Sequence, residues 1–442
     1  MFENILGQPA ADLLIRDIAE QRLAPAMLFH GMAASGKGSA ALELGRIISC
    51  GHDASWNCSC PDCTRHRFLL HPDMLCLGNR SFRAEIAAAS DVFLRDRSNG
   101  NAKLFFIRSI RKLTARFNPV LWEDEPKFFK LSPLVFSLEE RLDELDFTED
   151  DFEKNVLAVI RDAAKLESEG MSETIPIAQI RRASWWSHLA PMGKGKILII
   201  ENADRMQEGA RNSLLKLLEE PPPAVTLVLC SGKPNTLLPT ILSRLRPYRF
   251  IARSEETEKE VLRRVFHRDN FTREESRAPG EKNRDNLITV YLESFLPVSG
   301  AALEALAAFF IASAAFKAAL ILKKTGVSSL PEELVLLGQF SAPLAEQAGL
   351  EKSRDSRETA ARVLEGTGNF EIPALFSRFL SCLLSLTMES LRGSNSAVLI
   401  AYLELWRKYI EEAGTAVMVY NQSPGLALER LFICLSRGMA EL

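Results

Sequence analysis

The sequence predicts an α/β domain built on a parallel sheet and carrying a phosphate loop, followed by an all-helical half. Three observations lead there. The continuous apolar run Lys196-Ile197-Leu198-Ile199-Ile200 and the largely apolar Val225 to Leu229 alternate with amphipathic stretches through the first 253 residues, as in sheets covered on both faces. A glycine loop stands between a short apolar run and a helical one. After Arg253 the strand patterns stop, and almost every segment has helical periodicity. The expected organisation is an α/β domain at 1–253, a small helical domain at 254–326 and a final helical bundle at 327–442.

The elements follow in order. Leu13, Leu14, Ile18 and Leu23 mark a helix within 11–24, and Met27-Leu28-Phe29 is a short buried strand. Gly31 to Lys37 forms the loop, and a helix runs from Ser39 to about Ser49. His71-Pro72-Asp73-Met74-Leu75-Cys76-Leu77 reads as the approach to a second strand. Residues 79–118 hold nine bases against three acids, and 121–170 hold 15 acids against 6 bases. This reversal predicts two helical pieces of an inserted segment that face each other, with solvated faces or a DNA-touching basic face at 80–116 as readings. Residues 177–190 and 209–220 read as helices, Pro221-Pro222-Pro223 as a stop, 255–267 as a helix and 268–286 as a charged loop.

Composition narrows the class. In 442 residues, 47% are hydrophobic and 25% charged, which is ordinary for a globular protein and excludes disordered, collagen-like and small disulfide-rich chains. A formal net charge of -3 excludes a wholly basic nucleic-acid binder. Met1-Phe2-Glu3-Asn4 lacks a basic, then apolar, leader pattern. The most apolar stretch, 301–322, is interrupted by Glu304 and Lys317, so it reads as a buried helix rather than a span needing about 20 apolar residues. A cytoplasmic protein without a membrane partner is expected.

Three motifs carry chemistry. Gly31-x-x-x-x-Gly36-Lys37 lets backbone N–H groups surround a phosphate while Lys37 neutralises charge; the other reading is a glycine turn that binds none. The next residue, ordinarily a Ser or Thr that holds Mg²⁺, is Gly38. The strand ending in Ile200 continues Glu201-Asn202, where phosphate-loop ATPases place Asp to order the metal and often Glu to activate water. Asn202 cannot take a proton. Cys50-x7-Cys58-x-Cys60-x2-Cys63 offers four thiolates for a tetrahedral Zn²⁺, with His52 as a reserve ligand and free thiols as the alternative. Arg244, by composition alone, is a surface arginine.

Taken in order, these pieces resemble the clamp-loader branch of the AAA+ ATPases of bacterial DNA polymerase III. Leu6-Gly7-Gln8 resembles its opening box, Leu28-Phe29-His30-Gly31 through Lys37 its phosphate loop, and His71-Pro72-Asp73 a family turn. Ile177-Ala178-Gln179-Ile180-Arg181, Asn202-Ala203-Asp204-Arg205-Met206 and Leu214 to Pro222 resemble further boxes. Leu238 to Arg244 resembles the Ser-Arg-Cys region, with Leu245 in place of Cys, and Leu428-Glu429-Arg430-Leu431 fits the last collar helix loosely. Gly38, Glu201 and Asn202, and the lack of an arginine at 313–319, favour the delta-prime type over the motor type.

The resemblance implies a helical lid and an oligomerising collar after the AAA+ domain. It implies an arginine finger, Arg244, acting on ATP held by a neighbouring motor subunit. It also implies structural Zn²⁺, weak or absent ATP binding, no Mg²⁺, and a hetero-oligomer with motor and delta subunits that meets the sliding clamp and primer-template DNA. The rivals are an active gamma/tau-like ATPase and a zinc-dependent nucleic-acid adaptor. The inserted segment at 79–170 has no counterpart in the resemblance. It is expected to be a docking surface, separable by deleting 82–168.

Overall fold

The computed structural model describes residues 1–145, 151–172, 174–269, 271, 286–327, 329–370, 373–392, 394, 398–418, 420 and 422–442. Most of the charged loop expected at 268–286 lies outside them. The chain divides into two compact units, and the boundary between described residues falls between Phe295 and Leu296.

The first unit is built on five parallel strands: β1 (Ala26–Gly31), β2 (Met74–Gly78), β3 (Lys196–Glu201), β4 (Val225–Ser231) and β5 (Arg246–Phe250). Their order is β2-β3-β4-β1-β5, with Leu75 opposite Leu198, Leu198 opposite Leu227, Leu28 opposite Leu229 and Phe29 opposite Tyr248. This is the α/β phosphate-loop fold the sequence predicts, with helices following. Alternation splits the sheet's side chains into two cores. Met27, Phe29, Ile197, Ile199, Val228 and Tyr248 pack with helices Pro9–Ala19 and Lys37–Ser49. Leu28, Leu75, Leu77, Leu198, Ile200, Leu227 and Leu229 face the opposite side.

That opposite side is covered in part by the inserted segment. Its helices Arg83–Arg95, Gly100–Thr114, Pro126–Asp143 and Phe152–Gly170 contribute Ile86, Phe93, Phe106, Ile110, Leu138, Phe152 and Val156 to the same core as β2, β3 and β4. The segment thus shares the sheet's own core, which counts against the separability expected from sequence. Its acidic and basic pieces do face each other: Arg111 pairs with Glu139 at 2.8 Å and Asp143 at 2.7 Å. All nine bases of 79–118 are engaged within the protein, including Arg108 on the carbonyls of His66 and Arg67 and Arg95 on that of Phe266.

Helices Glu255–Phe266 and Leu287–Glu293 belong to the first unit. The second unit is all helical among its described residues: Gly300–Lys324, Glu332–Gln347, Ser356–Gly366, Pro373–Ser390, Leu399–Met418 and Pro424–Glu441. Gly300–Lys324 is long and apolar enough to cross a membrane by length and composition, yet Leu303, Phe309, Phe310, Ile311 and Ala314 are buried as the centre of this unit's core. Phe310 meets Phe379 and Phe432 edge to face. The helices between 254 and 326 are thus divided between the two units.

Candidate functional site

The parallel sheet brings the carboxyl ends of β1, β3 and β4 side by side, where open α/β sheets bind ligands. The loop after β1 turns at Gly31, whose Cβ, if present, would overlap the Phe250 carbonyl, and again at Gly36, with φ of 94°. Lys37 folds back over the loop. Its ammonium donates to the carbonyl of Gly31 at 2.7 Å and to that of Met32, closing a ring. Burial lowers its pKa below the ordinary lysine value. Arg253 braces the loop from outside, donating to Ala34 O and to Leu6 O, both at 2.8 Å.

Gly38 and Glu201 meet beside this loop. An ideal Cβ on Gly38 would overlap Glu201 Oε1. The other oxygen, Oε2, accepts from Arg80 Nε at 3.0 Å and from Arg116 Nη2. Arg80 also pairs with Glu85 at 2.8 Å, and Lys112 pairs with the other oxygen of Glu85. Burial alone would raise the Glu201 carboxyl, but Arg80 and then Arg116 outweigh it and hold its pKa at about 2. Glu85 is likewise held at about 2, against burial, by Lys112 and Arg80. Asn202 sits in the left-handed region (φ 50°) and donates its amide to Asn79 O at 2.6 Å. Asp204 accepts from Ser231 Oγ at 2.6 Å.

These groups line one side of a cavity of about 460 Å³. Its polar half is the loop 33–39 with Arg80, Lys112 and Glu201. Its apolar half is Phe105, Val261, Val265, Phe266, Ile288 and Leu292. Arg244 is not part of this cavity. It is one-third exposed, just beyond the short helix Pro239–Leu242, and donates to Thr240 O and to Glu219 Oε1, each at 2.7 Å.

The four cysteines converge. Their sulfurs lie within 4.8 Å of one another, with Cys50 and Cys58 3.7 Å apart. Thiolates about 2.3 Å from one tetrahedral ion would stand about 3.8 Å apart, so the set fits Zn²⁺. Helix Pro61–Arg67 starts on Cys60, whose sulfur accepts from the Cys63 N–H. Burial opposes ionisation of Cys60, but that N–H and the neighbouring thiols bring its pKa down to about 7. His52 is exposed and gives only its backbone N–H, to Cys50 Sγ.

Of the residues the sequence singles out, Gly36, Lys37, Gly38, Glu201 and Asn202 line one cavity, Gly31 opens its loop, Cys50, Cys58, Cys60 and Cys63 cluster, and Arg244 stands apart from both. The structure adds Arg80, Glu85, Lys112, Arg116, Arg253 and Arg46, of which the basic run at 80–116 signals Arg80, Lys112 and Arg116. Arg46, buried with Glu43, donates to Cys63 Sγ at 3.2 Å and to the carbonyls of Ala54 and Ser55, both at 2.8 Å.

The family described as DNA polymerase III, delta subunit, matches residues 7–121 and 150–254. A DNA polymerase III subunit delta' of Pseudomonas aeruginosa is 40% identical over 80 residues, 18% of this chain and 24% of that protein. The Bacillus subtilis subunit delta' is 47% identical over 55 residues, 12% of this chain and 17% of the relative. A DNA polymerase III subunit gamma/tau of Mycobacterium tuberculosis is 29% identical over 98 residues, 21% of this chain and 17% of the relative. The matched stretches thus span a quarter or less of each of these relatives.

Proposed function

The chain belongs to the clamp-loader family of DNA polymerase III, and from that premise we propose that it is a delta-prime-like, non-hydrolysing subunit that lends Arg244 to ATP held by a neighbouring motor subunit. The observation that carries this reading is the seating of Glu201 over Gly38 with its other oxygen held by Arg80 and Arg116. Hydrolysis on a phosphate loop needs a hydroxyl and a carboxylate free to order Mg²⁺, and a base to orient water. Here the hydroxyl is missing, the carboxylate is engaged, and Asn202 is an amide bound to Asn79.

Arg244 supports the second half of the reading. It stands outside the chain's own cavity, partly exposed, with its guanidinium already oriented by two acceptors. A guanidinium placed so at a subunit interface offsets charge on a transferred phosphoryl group. The partners in this reading are the motor and delta subunits, and through them the sliding clamp and primer-template DNA, in the cytoplasm. The cysteine cluster holds Zn²⁺ as a structural ion, tying residues 50–63 to the helix after the phosphate loop.

ATP turnover measured on the chain alone and on the assembled loader tests this. The lone chain should be inactive, and Arg244→Ala should lower the assembled rate by about 10-fold or more. Steady turnover by the lone chain, abolished by Lys37→Ala, would favour the gamma/tau-like motor instead, a reading kept in view by the 29% identity to that subunit.

A further inference from the structure

The magnesium ion that a phosphate loop implies does not fit the residues present. It would need the hydroxyl that Gly38 lacks and a carboxylate open to it or to its waters. Glu201 Oε2 is taken by two guanidinium groups and Oε1 packs over Gly38. Around Glu201, the cations Arg80, Arg116 and Lys112 face the carboxylates of Glu201 and Glu85, and Lys37 adds a further positive charge, which disfavours a divalent cation there; the cavity's other carboxylate, Glu293, is carried by the helix Leu287–Glu293.

The same cavity keeps what receives a polyphosphate. Lys37 closes the loop into its ring, and the backbone N–H groups of Gly36, Lys37 and Gly38 have no acceptor among the described residues. Gly36, Lys37 and Gly38 line, together with Arg80 and Lys112, a space of about 460 Å³, large enough for a nucleotide. The far wall is apolar, from Phe105, Val261, Val265, Phe266, Ile288 and Leu292, and suits a base rather than a further charge.

We infer that this cavity binds a nucleoside di- or triphosphate without a divalent cation, the inserted segment's Arg80 and Lys112 supplying the positive charge that a metal supplies in hydrolysing relatives, with Arg116 behind them on Glu201. The inference rests on the proposed reading of a non-hydrolysing site and deepens it. The inserted segment then has a second task beyond covering the sheet: it replaces an exchangeable ion by fixed side chains, which hold the phosphates and give water no activated path to them.

The test is a fluorescence titration of the full chain with N-methylanthraniloyl-ADP, first in EDTA and then in excess Mg²⁺. Saturable binding is expected in EDTA, changed by less than about two-fold when Mg²⁺ is added, since no ligand of the ion is gained. Glu201→Gln keeps the shape and removes a negative charge beside the phosphates, so the folded variant should bind about 5- to 10-fold more tightly, and Lys112→Gln should weaken binding by a similar factor. Melting curves show whether each variant is folded, and either one alone decides the sign. Binding that appears only with Mg²⁺, or that a folded Glu201→Gln variant loses, restores a metal site and overturns the inference. Absence of binding under both conditions overturns it too. Those failures leave the effect of Arg244→Ala on the assembled loader untouched, whereas ATP turnover by the lone chain would sink the underlying reading.

Discussion

Glu201 occupies the volume that a side chain at position 38 would need: a Cβ built on Gly38 runs into its Oε1. The two positions are thus coupled: with no side chain at 38, Glu201 Oε1 occupies the space beside it. Restoring the hydroxyl alone should therefore do harm. Gly38→Ser is expected to destabilise the chain by about 1–3 kcal/mol, the usual effect of forcing atoms into a packed site, and to restore no ATP turnover. Adding Glu201→Asp shortens the carboxylate by a methylene and should recover part of that loss. Thermal melts of the single and double variants measure the coupling.

The ion cluster predicts a direction with pH. The Glu201 and Glu85 carboxyls lie at about 2 in the folded chain, against 4.5 for the ordinary group. A depressed folded pKa contributes stability that is complete above the ordinary value and is lost as pH falls toward the folded one. Stability should thus decline between about pH 5 and pH 2, and Glu201→Gln, which has no proton to take up there, should decline less steeply. Urea midpoints taken across that range check both slopes. Parallel slopes would mean that the cluster does not report on folding.

Most of the fold was legible because it is written in local patterns. Ile197 to Ile200 is apolar without interruption and Val225 to Leu229 is broken only by Thr226, as central strands demand. β5 was not read, for an equally physical reason. Arg246-Pro247-Tyr248-Arg249-Phe250 alternates, burying only Tyr248 and Phe250, and carries a proline that an edge strand tolerates. In the site, the spacing of the glycines and of the cysteines is local and was visible. Arg80 and Arg116 reach Glu201 across 121 and 85 residues of chain, and no local pattern announces such a pair.

The inserted segment gives a further prediction. Phe82, Phe93, Phe106 and Phe152 are buried in one core with Leu75, Leu198 and Leu227 of the sheet. Deleting 82–168 would strip that face and remove Lys112 and Arg116 from Glu201. The deleted chain should fail to fold, seen as loss of a cooperative melt and exposure of dye-binding apolar surface, since each large core side chain lost costs about 3–5 kcal/mol. A cooperative melt of the deleted chain would show that the segment is an independent lobe after all.

With Zn²⁺ bound by the cysteine cluster as proposed, Arg46 should govern how firmly it is held. Its guanidinium spans Cys63 Sγ and the carbonyls of Ala54 and Ser55, so one side chain orients a thiolate and pins the loop that carries two others. Such supporting contacts are worth about 10- to 100-fold in metal affinity. Arg46→Met should therefore release Zn²⁺ to a chromogenic chelator at about 10-fold lower chelator concentration, while Cys63→Ser should remove the bound equivalent altogether and lower the melting temperature. Elemental analysis of both variants reports the ion directly.

The proposed finger is distinguished from a structural arginine by what its replacement leaves intact. Arg244 and Glu219 are about 34% and 50% exposed, and pairs so open to water contribute about 0–1 kcal/mol. The melting curve of the lone chain should barely move on Arg244→Ala. Arg244→Lys keeps the charge but not the planar fork that serves Thr240 O and Glu219 Oε1 together while presenting a further N–H edge. In the assembled loader the lysine variant should thus lose nearly as much ATPase as the alanine one. Glu219→Ala, which removes one of two orienting acceptors but keeps the guanidinium, should lose less, about 2- to 5-fold. If lysine restored the full rate, a diffuse positive charge would suffice and the oriented guanidinium would have no special part in the reaction.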